Sequence, residues 1–247
     1  MKTDSRASGP GQRVCLALDF SDRAEILAAA GRFGPRVEWL KIGLEAFVSE
    51  GPGLVAEVAR HARVFLDLKL HDIPTTVARA VAAAGRSGAS MINVHASGGR
   101  AMLRAAREAL PGPDAPLLVA VTLLTSIDPA ALADLPMAGH PEGIARRLAV
   151  LARECGLNGV VCSPTDLPAI RSCCGPDFLT VVPGIRPAGA PAGDQKRHAT
   201  PAVALAAGAD ILVVGRPVFE AADPDRALED LLSEIESVAG GGLKSKV

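Results

Sequence analysis

The run Phe65-Leu66-Asp67-Leu68-Lys69-Leu70-His71-Asp72-Ile73-Pro74 sets two carboxylates and an ammonium in an otherwise apolar stretch. Read as a β-strand, it alternates. Asp67 and Lys69 face one side, and Leu66, Leu68 and Leu70 face the other. Charges on an inward strand face are costly unless they are paired or used. Asp72 follows where the strand should end. Lys41, in the apolar run 37–42, falls on the strand before it. Lys41, Asp67 and Lys69 can then alternate in sign, each lysine kept protonated by a carboxylate neighbour. A held, protonated lysine suits proton donation to a carbanion. It does not suit Schiff-base chemistry, which needs a depressed pKa. The bland reading of the same residues is a buried structural salt-bridge network.

A second group is suited to an anion. Pro183-Gly184-Ile185-Arg186 and Gly215-Arg216 each combine a glycine, which lets backbone approach closely, with an arginine that can grip phosphate oxygens in a bidentate manner. Alone, they are equally two surface arginines at loop ends; beside the charged strand they point to a phosphate subsite.

These residues need a frame. Apolar runs at 14–18, 37–42, 64–70, 91–94, 117–124, 159–162, 178–182 and 211–214 alternate with Ala-rich amphipathic segments. Ile144, Leu148 and Leu151 make one helical stripe, closed by Gly156. The last helix has Asp223 as N-cap, Pro224 at its first position, the stripe Leu228, Leu231, Leu232 and Ile235, and its stop at Gly240. Eight β-α units in one chain of this length predict an α/β protein, a single-domain (β/α)8 TIM barrel. A doubly wound open sheet is the competitor, weakened because no GxGxxG follows the first strand. The barrel is expected over 13–240, with loose segments at 1–12 and 241–247, and a mobile active-site loop at 187–193.

Barrel chemistry sits at the C-terminal ends of the strands, and the polar residues fall there. Asp19 closes the first strand, Lys41 lies late in the second, and Asp67 and Lys69 close the third. Asn93 and His95 close the fourth, and Thr122 to Ser126 the fifth. His71 is expected to point away from Lys69 into packed surroundings, and His95 to line the pocket floor or support the third strand. His61, His140 and His198 read as surface or loop residues.

The 247 residues are 49% hydrophobic and 21% charged, which reads as globular. Aromatics are only 3%, so Ala, Val, Leu and Ile must build the core. A net charge of -1 argues against nucleic acid or an anionic membrane as partner. No apolar stretch is long enough for a membrane span, and residues 1–13 lack the apolar core of a signal peptide, so a cytoplasmic protein is expected. The five cysteines (Cys15, Cys155, Cys162, Cys173, Cys174) form no CxxC and read as reduced thiols. No grouping of His, Cys and carboxylates suggests a metal.

Taken in order, these motifs resemble the orotidine 5′-phosphate decarboxylase family over nearly the whole chain. The resemblance rests on Leu16-Ala17-Leu18-Asp19, Leu40-Lys41-Ile42-Gly43, the 65–74 run, Asn93-Val94-His95-Ala96 and Leu124-Thr125-Ser126. It continues through Pro183-Gly184-Ile185-Arg186-Pro187, Gly193-Asp194-Gln195 and Val214-Gly215-Arg216-Pro217. The DxKxxD element is the specific part. Where the family often has Asn after the Ile-Pro pair, this chain has Thr75, with Thr76 retained.

The resemblance implies a cofactor-free, metal-free conversion of orotidine 5′-monophosphate to UMP and CO2 in pyrimidine biosynthesis. Lys69 would be the proton donor in a network with Lys41, Asp67 and Asp72, the last reaching in from the second subunit of a homodimer. Asp19 and Lys41 would bind ribose hydroxyls, and Asp72 and Thr76 would complete the sugar site across the interface. Thr125 and Ser126 would lie against the pyrimidine. Arg186, Gly215 and Arg216 would hold the phosphate, with Gln195 folding over it, and Ile73 and Pro183 would join the substrate contacts. Three other readings compete. One is a Mg2+-dependent relative of the 3-keto-gulonate 6-phosphate decarboxylase kind, for which no Glu ends the second strand to partner Asp67. The others are a Schiff-base aldolase and a non-catalytic nucleotide-binding barrel.

Overall fold

The computed structural model describes residues 9–187 and 197–241. Gln195, most of the 187–193 loop and most of the two expected loose ends lie outside the described residues. Eight strands pair in parallel in chain order, and the eighth closes on the first. They are β1 (Val14–Ala17), β2 (Trp39–Ile42), β3 (Arg63–Leu70), β4 (Met91–His95), β5 (Leu117–Val121), β6 (Gly159–Val161), β7 (Leu179–Val182) and β8 (Ile211–Val214). Each overlaps one of the eight apolar runs, and closure excludes the open sheet. The short turn Gly9–Arg13 leads into β1, and its Gly11 carbonyl accepts from Glu38 N at 3.0 Å.

The strands are apolar on both faces because both are covered. Outward residues such as Leu16, Leu40, Leu66, Ile92 and Leu118 are buried against the helices. Inward residues Cys15, Trp39, Phe65, Met91, Val119 and Val181 fill the barrel interior. Two positions further along three adjacent strands, the inward residue turns polar: Trp39 gives way to Lys41, Phe65 to Asp67 and Met91 to Asn93. The fold thus sets a polar layer on an apolar floor.

The helices follow their stripes. In Pro224–Gly241, Asp223 Oδ1 accepts from the backbone N–H groups of Asp225 and Arg226, both at 3.1 Å, as an N-cap should. Leu228, Leu231 and Ile235 are buried there, each worth about 1.5–3 kcal/mol against exposure. Losing the cap by Asp223→Ala would cost about 1 kcal/mol. In Pro141–Glu154 the buried line is Ile144, Ala145, Ala149 and Ala152, while Leu148 and Leu151 flank it. Small side chains let this helix lie close to the strands. Gly156, just past its end, has φ +78°, a left-handed position that favours glycine.

The N-terminal end of the barrel is tied by Arg171, from the helix Leu167–Cys174. Its guanidinium donates to the carbonyls of Gly175 (3.1 Å), Phe178 (2.7 Å) and Gly208 (2.6 Å), to Thr180 Oγ1 (2.8 Å) and to Asp210 Oδ2 (2.5 Å). Asp210 Oδ2 also accepts from Thr180 N at 2.8 Å. One side chain therefore joins a helix end to the starts of β7 and β8.

Candidate active site

Three adjacent strands build the charged group. Lys41 Nζ on β2 lies 2.8 Å from Asp19 Oδ1 and 3.5 Å from Asp67 Oδ2. Lys69 Nζ lies 2.7 Å from Asp67 Oδ1. The order Asp19, Lys41, Asp67, Lys69 alternates in sign, as the spacing predicts. Lys41 and Asp67 are each 8% exposed, so their charges survive only as partners. Burial alone would push the Asp67 carboxyl up, but Lys41 and Lys69, with hydrogen bonds from Lys69 and Asn93, hold it below the ordinary carboxylate value. Burial likewise opposes the Lys41 charge, yet Asp67 and Asp19 outweigh it and hold the ammonium above its ordinary value. Gly43 makes room for the Asp19–Lys41 pair: a Cβ there would stand 3.0 Å from Asp19 Oδ1 and 3.2 Å from Lys41 Nζ.

The end of β3 is not a regular strand. Pairing with β4 shifts register between Leu66 and Leu70. Lys69 has φ +52° and is the one non-glycine residue with positive φ among the described residues. A left-handed lysine costs about 1–3 kcal/mol and persists only where its surroundings fix it. Asn93 supplies that fixing. Its Oδ1 accepts from Lys69 N at 2.7 Å, and its Nδ2 donates to Asp67 Oδ1 at 2.6 Å. It is fully buried. Sequence reasoning placed Asn93 at the end of the fourth strand but gave it no role. The available signal was an amide at an inward position beside the charged strand.

Above this layer opens a cleft of about 430 Å³, within the range usual for small-molecule sites. Asp19, Lys41, Asp67 and Lys69 line one side. Leu123, Leu124 and Thr125, after β5, form another wall, and Pro183, Arg186, Gly215 and Arg216, after β7 and β8, close the far end. Gly184 has φ +83°, which turns the chain after β7. Beyond the turn, Arg186 N donates to Ala199 O at 2.9 Å and Ala199 N to Gly184 O at 3.2 Å, which braces the Arg186 segment.

The remaining sequence-predicted residues fall elsewhere. Ser126 is exposed and outside the lining. Asp72, Ile73 and Thr76 are exposed, beyond the cleft of their own chain, and Asp72 Oδ1 accepts from Ile73 N at 2.6 Å. Gln195 lies outside the described residues. The expectation that His71 points into packed surroundings is corrected: it is exposed, its ring 5.4 Å from that of His95. The reason is the irregular end of β3, where strict alternation no longer assigns a face. His95 ends β4 outside the cleft lining. Burial, then the nearby His71 ring and the Lys69 ammonium, hold its pKa below the ordinary histidine value. Among the described residues, no group of three or more His, Cys, Asp or Glu side chains converges as metal ligands would.

Comparison with known proteins gives a consistent picture. Residues 12–231 match the model of the "Orotidine 5'-phosphate decarboxylase / HUMPS family". The chain is 49% identical over 229 residues to the orotidine 5'-phosphate decarboxylase of Sodalis glossinidius, covering 92% of this chain and 91% of that one. It is 53% identical over 220 residues to the enzyme of the same name from Anaeromyxobacter dehalogenans, covering 88% and 96%. Among solved structures, orotidine 5'-phosphate decarboxylase from Lactobacillus acidophilus superposes with a TM-score of 0.78 at 34% identity, over 91% of this chain and 99% of that one.

Proposed function

Because the chain belongs to the orotidine 5'-phosphate decarboxylase / HUMPS family, we propose that it decarboxylates orotidine 5′-monophosphate to UMP and CO2 in pyrimidine biosynthesis, with Lys69 as the proton donor. One observation carries the reading. A lysine held 2.7 Å from a buried carboxylate borders a cleft whose far end carries two arginines.

The chemistry follows from that arrangement. Breaking the bond between C6 and the carboxylate releases CO2 and leaves the electron pair on C6, where the ring delocalises it poorly. A fixed ammonium beside C6 stabilises that pair without reorganisation and then delivers its proton, forming the C–H bond of UMP. Lys41 keeps Asp67 charged, and Asp67 and Asn93 keep Lys69 aimed. Asp19 and Lys41 take the ribose hydroxyls, and Thr125 lies against the pyrimidine. Arg186 and Arg216, with Gly215, hold the phosphate, whose binding energy is available to the distant reacting carbon. The Mg2+-dependent alternative has less support. β2 ends in Lys41-Ile42, followed by Gly43, with no carboxylate there, and Asp19 and Asp67 are already engaged by ammonium groups.

The reading includes a homodimer in the cytoplasm. Asp72 and Thr76 stand exposed beyond β3, next to Ile73 at 67% exposure, while Leu44 and Val48, after the neighbouring β2, are 51% and 79% exposed. Such apolar exposure fits a surface covered by a second copy, into whose cleft Asp72 would reach. All five cysteines are free, as a reducing compartment would keep them. Among the described residues, no helix is long and apolar enough to cross a membrane.

The test is the ultraviolet absorbance change on adding orotidine 5′-monophosphate to purified protein with EDTA present. Metal-independent turnover that disappears in Lys69→Ala supports the reading. UMP binding without turnover would leave only a binding protein. Sharing of the site is tested by mixing Lys69→Ala with Asp72→Ala, each inactive alone: activity must return in the mixed dimer, and its failure to return removes Asp72 from the partner's site.

A further inference from the structure

On the β5–β7 side of the cleft, one guanidinium joins three loops without touching the charged network. Arg197 Nη1 lies 2.9 and 3.0 Å from the two carboxylate oxygens of Asp166, in the turn Pro164–Asp166 after β6. Its Nη2 donates to the carbonyls of Leu123 at 3.2 Å and Leu124 at 3.1 Å, after β5. The Asp166 side chain is wholly buried and that of Arg197 is 10% exposed. Two residues further on, Ala199 is paired to the Gly184–Arg186 stretch.

Arg197 therefore stands between the segment that carries Arg186 and the loop that carries Leu123, Leu124 and Thr125. Those loops form different walls of one cleft. We infer that Arg197 is a positioning residue, which fastens the Thr125 wall to the Arg186 segment so that phosphate binding at one end sets the placement of the pyrimidine at the other.

The donor geometry supports this role. A planar guanidinium can serve a carboxylate with one nitrogen and two carbonyls with another, whereas an ammonium presents a single point of attachment. A simple surface staple would need neither a buried carboxylate nor both carbonyls. Asp166 holds the arginine in orientation; burial raises its carboxyl pKa, and Arg197 is the main group opposing that rise. Among the described residues, no hydrogen bond or ion pair links the charged group of β2 and β3 to this cluster, so the two parts can be perturbed separately.

The inference rests on the decarboxylase reading, and the two fail differently. Absence of wild-type turnover defeats the reading, while the inference is judged on variants of an active enzyme. The experiment compares wild type, Arg197→Ala, Arg197→Lys and Arg216→Ala. It measures kcat and KM for orotidine 5′-monophosphate, affinity for ribose 5-phosphate by calorimetry, and melting temperature. Arg197→Ala is expected to lower kcat about ten- to a hundred-fold through misplacement of the ring, with ribose 5-phosphate affinity unchanged. Arg216→Ala should weaken ribose 5-phosphate directly. Arg197→Lys keeps the charge beside Asp166 but loses the double carbonyl bridge, so it should not restore kcat. It also decides the matter should Arg197→Ala fail to fold. Wild-type kcat in either folded Arg197 variant overturns the inference. So does a parallel loss of ribose 5-phosphate affinity, which would make Arg197 a direct phosphate contact.

Discussion

At the N-terminal end of the barrel, Arg171 spends its donors on the carbonyls of Gly175, Phe178 and Gly208 and on the side chains of Thr180 and Asp210. At the C-terminal end, Lys69 donates to Asp67 but stays 29% exposed at the edge of a cleft. Both groups are ionic, the first joining β7 to the start of β8 and the second lying within β3. The first is saturated by its own chain and can only hold. The second is held on one side by Asp67 and open on the other, and its backbone, in a conformation that costs free energy, is held by Asn93. The contrast separates a charge that serves folding from one that folding has to support.

Substitutions can break or sharpen that contrast. The largest effect is expected for Lys69→Ala: kcat should fall on the order of 10⁴-fold or more, with a melting temperature near that of the wild type, because Asp67 keeps Lys41 and Asn93. A large loss of stability in this variant would erase the distinction. Arg171→Met should show the reverse. Its cost is about 2–4 kcal/mol in urea unfolding, below that of a fully buried pair because the Asp210 side chain is 36% exposed. Its kcat and KM should stay at wild-type values in the folded protein.

Asn93→Ala should fall between the two. It frees Lys69 N–H and one contact of Asp67 in a buried place, costing about 1–3 kcal/mol. Turnover should drop by about 10²-fold as Lys69 loses its aim. Steady-state kinetics and melting on one preparation measure both.

The smallest effect is a pH dependence. Asp67 is held below its ordinary 3.8, so the stability carried by its charged form is complete above that value and is lost as pH falls through the lower folded one. Lys41 is held above its ordinary 10.5, so its contribution is complete below that value and is lost as pH rises through the higher folded one. The stability difference between wild type and Asp67→Asn should therefore begin to shrink as pH falls below 3.8, and continue to shrink down to the lower folded value. In an Arg171→Met background, the difference made by Asp67→Asn should shrink over the same range as in the wild type. If it does not, the two ends are coupled.

Much of this was legible in the sequence because it follows from alternation. The eight apolar runs each gave a strand, and alternation set Asp67, Lys69 and Lys41 on the inward face, where the distances put them in contact. What escaped depends on contacts between segments distant in the chain. The left-handed Lys69 arises from a register break against β4, and no local residue pattern announces it. Asn93 matters only because it lies beside β3, and Arg197 only because the fold brings it to Asp166 and two carbonyls. His71 was misplaced because alternation was extended past the point where the strand stays regular.

The apolar floor beneath the charged layer has a further consequence for the proposed chemistry. Trp39, Phe65, Met91 and Val119 fill the barrel axis below Lys41, Asp67 and Asn93, so the layer beneath Lys69 offers water few polar groups to bind. Each turnover removes a proton from the lysine, and its replacement has to come through the mouth by which the nucleotide leaves. Recharging the acid and emptying the site thus share one doorway, and the barrel is ready for its next substrate only once the last product has stepped aside.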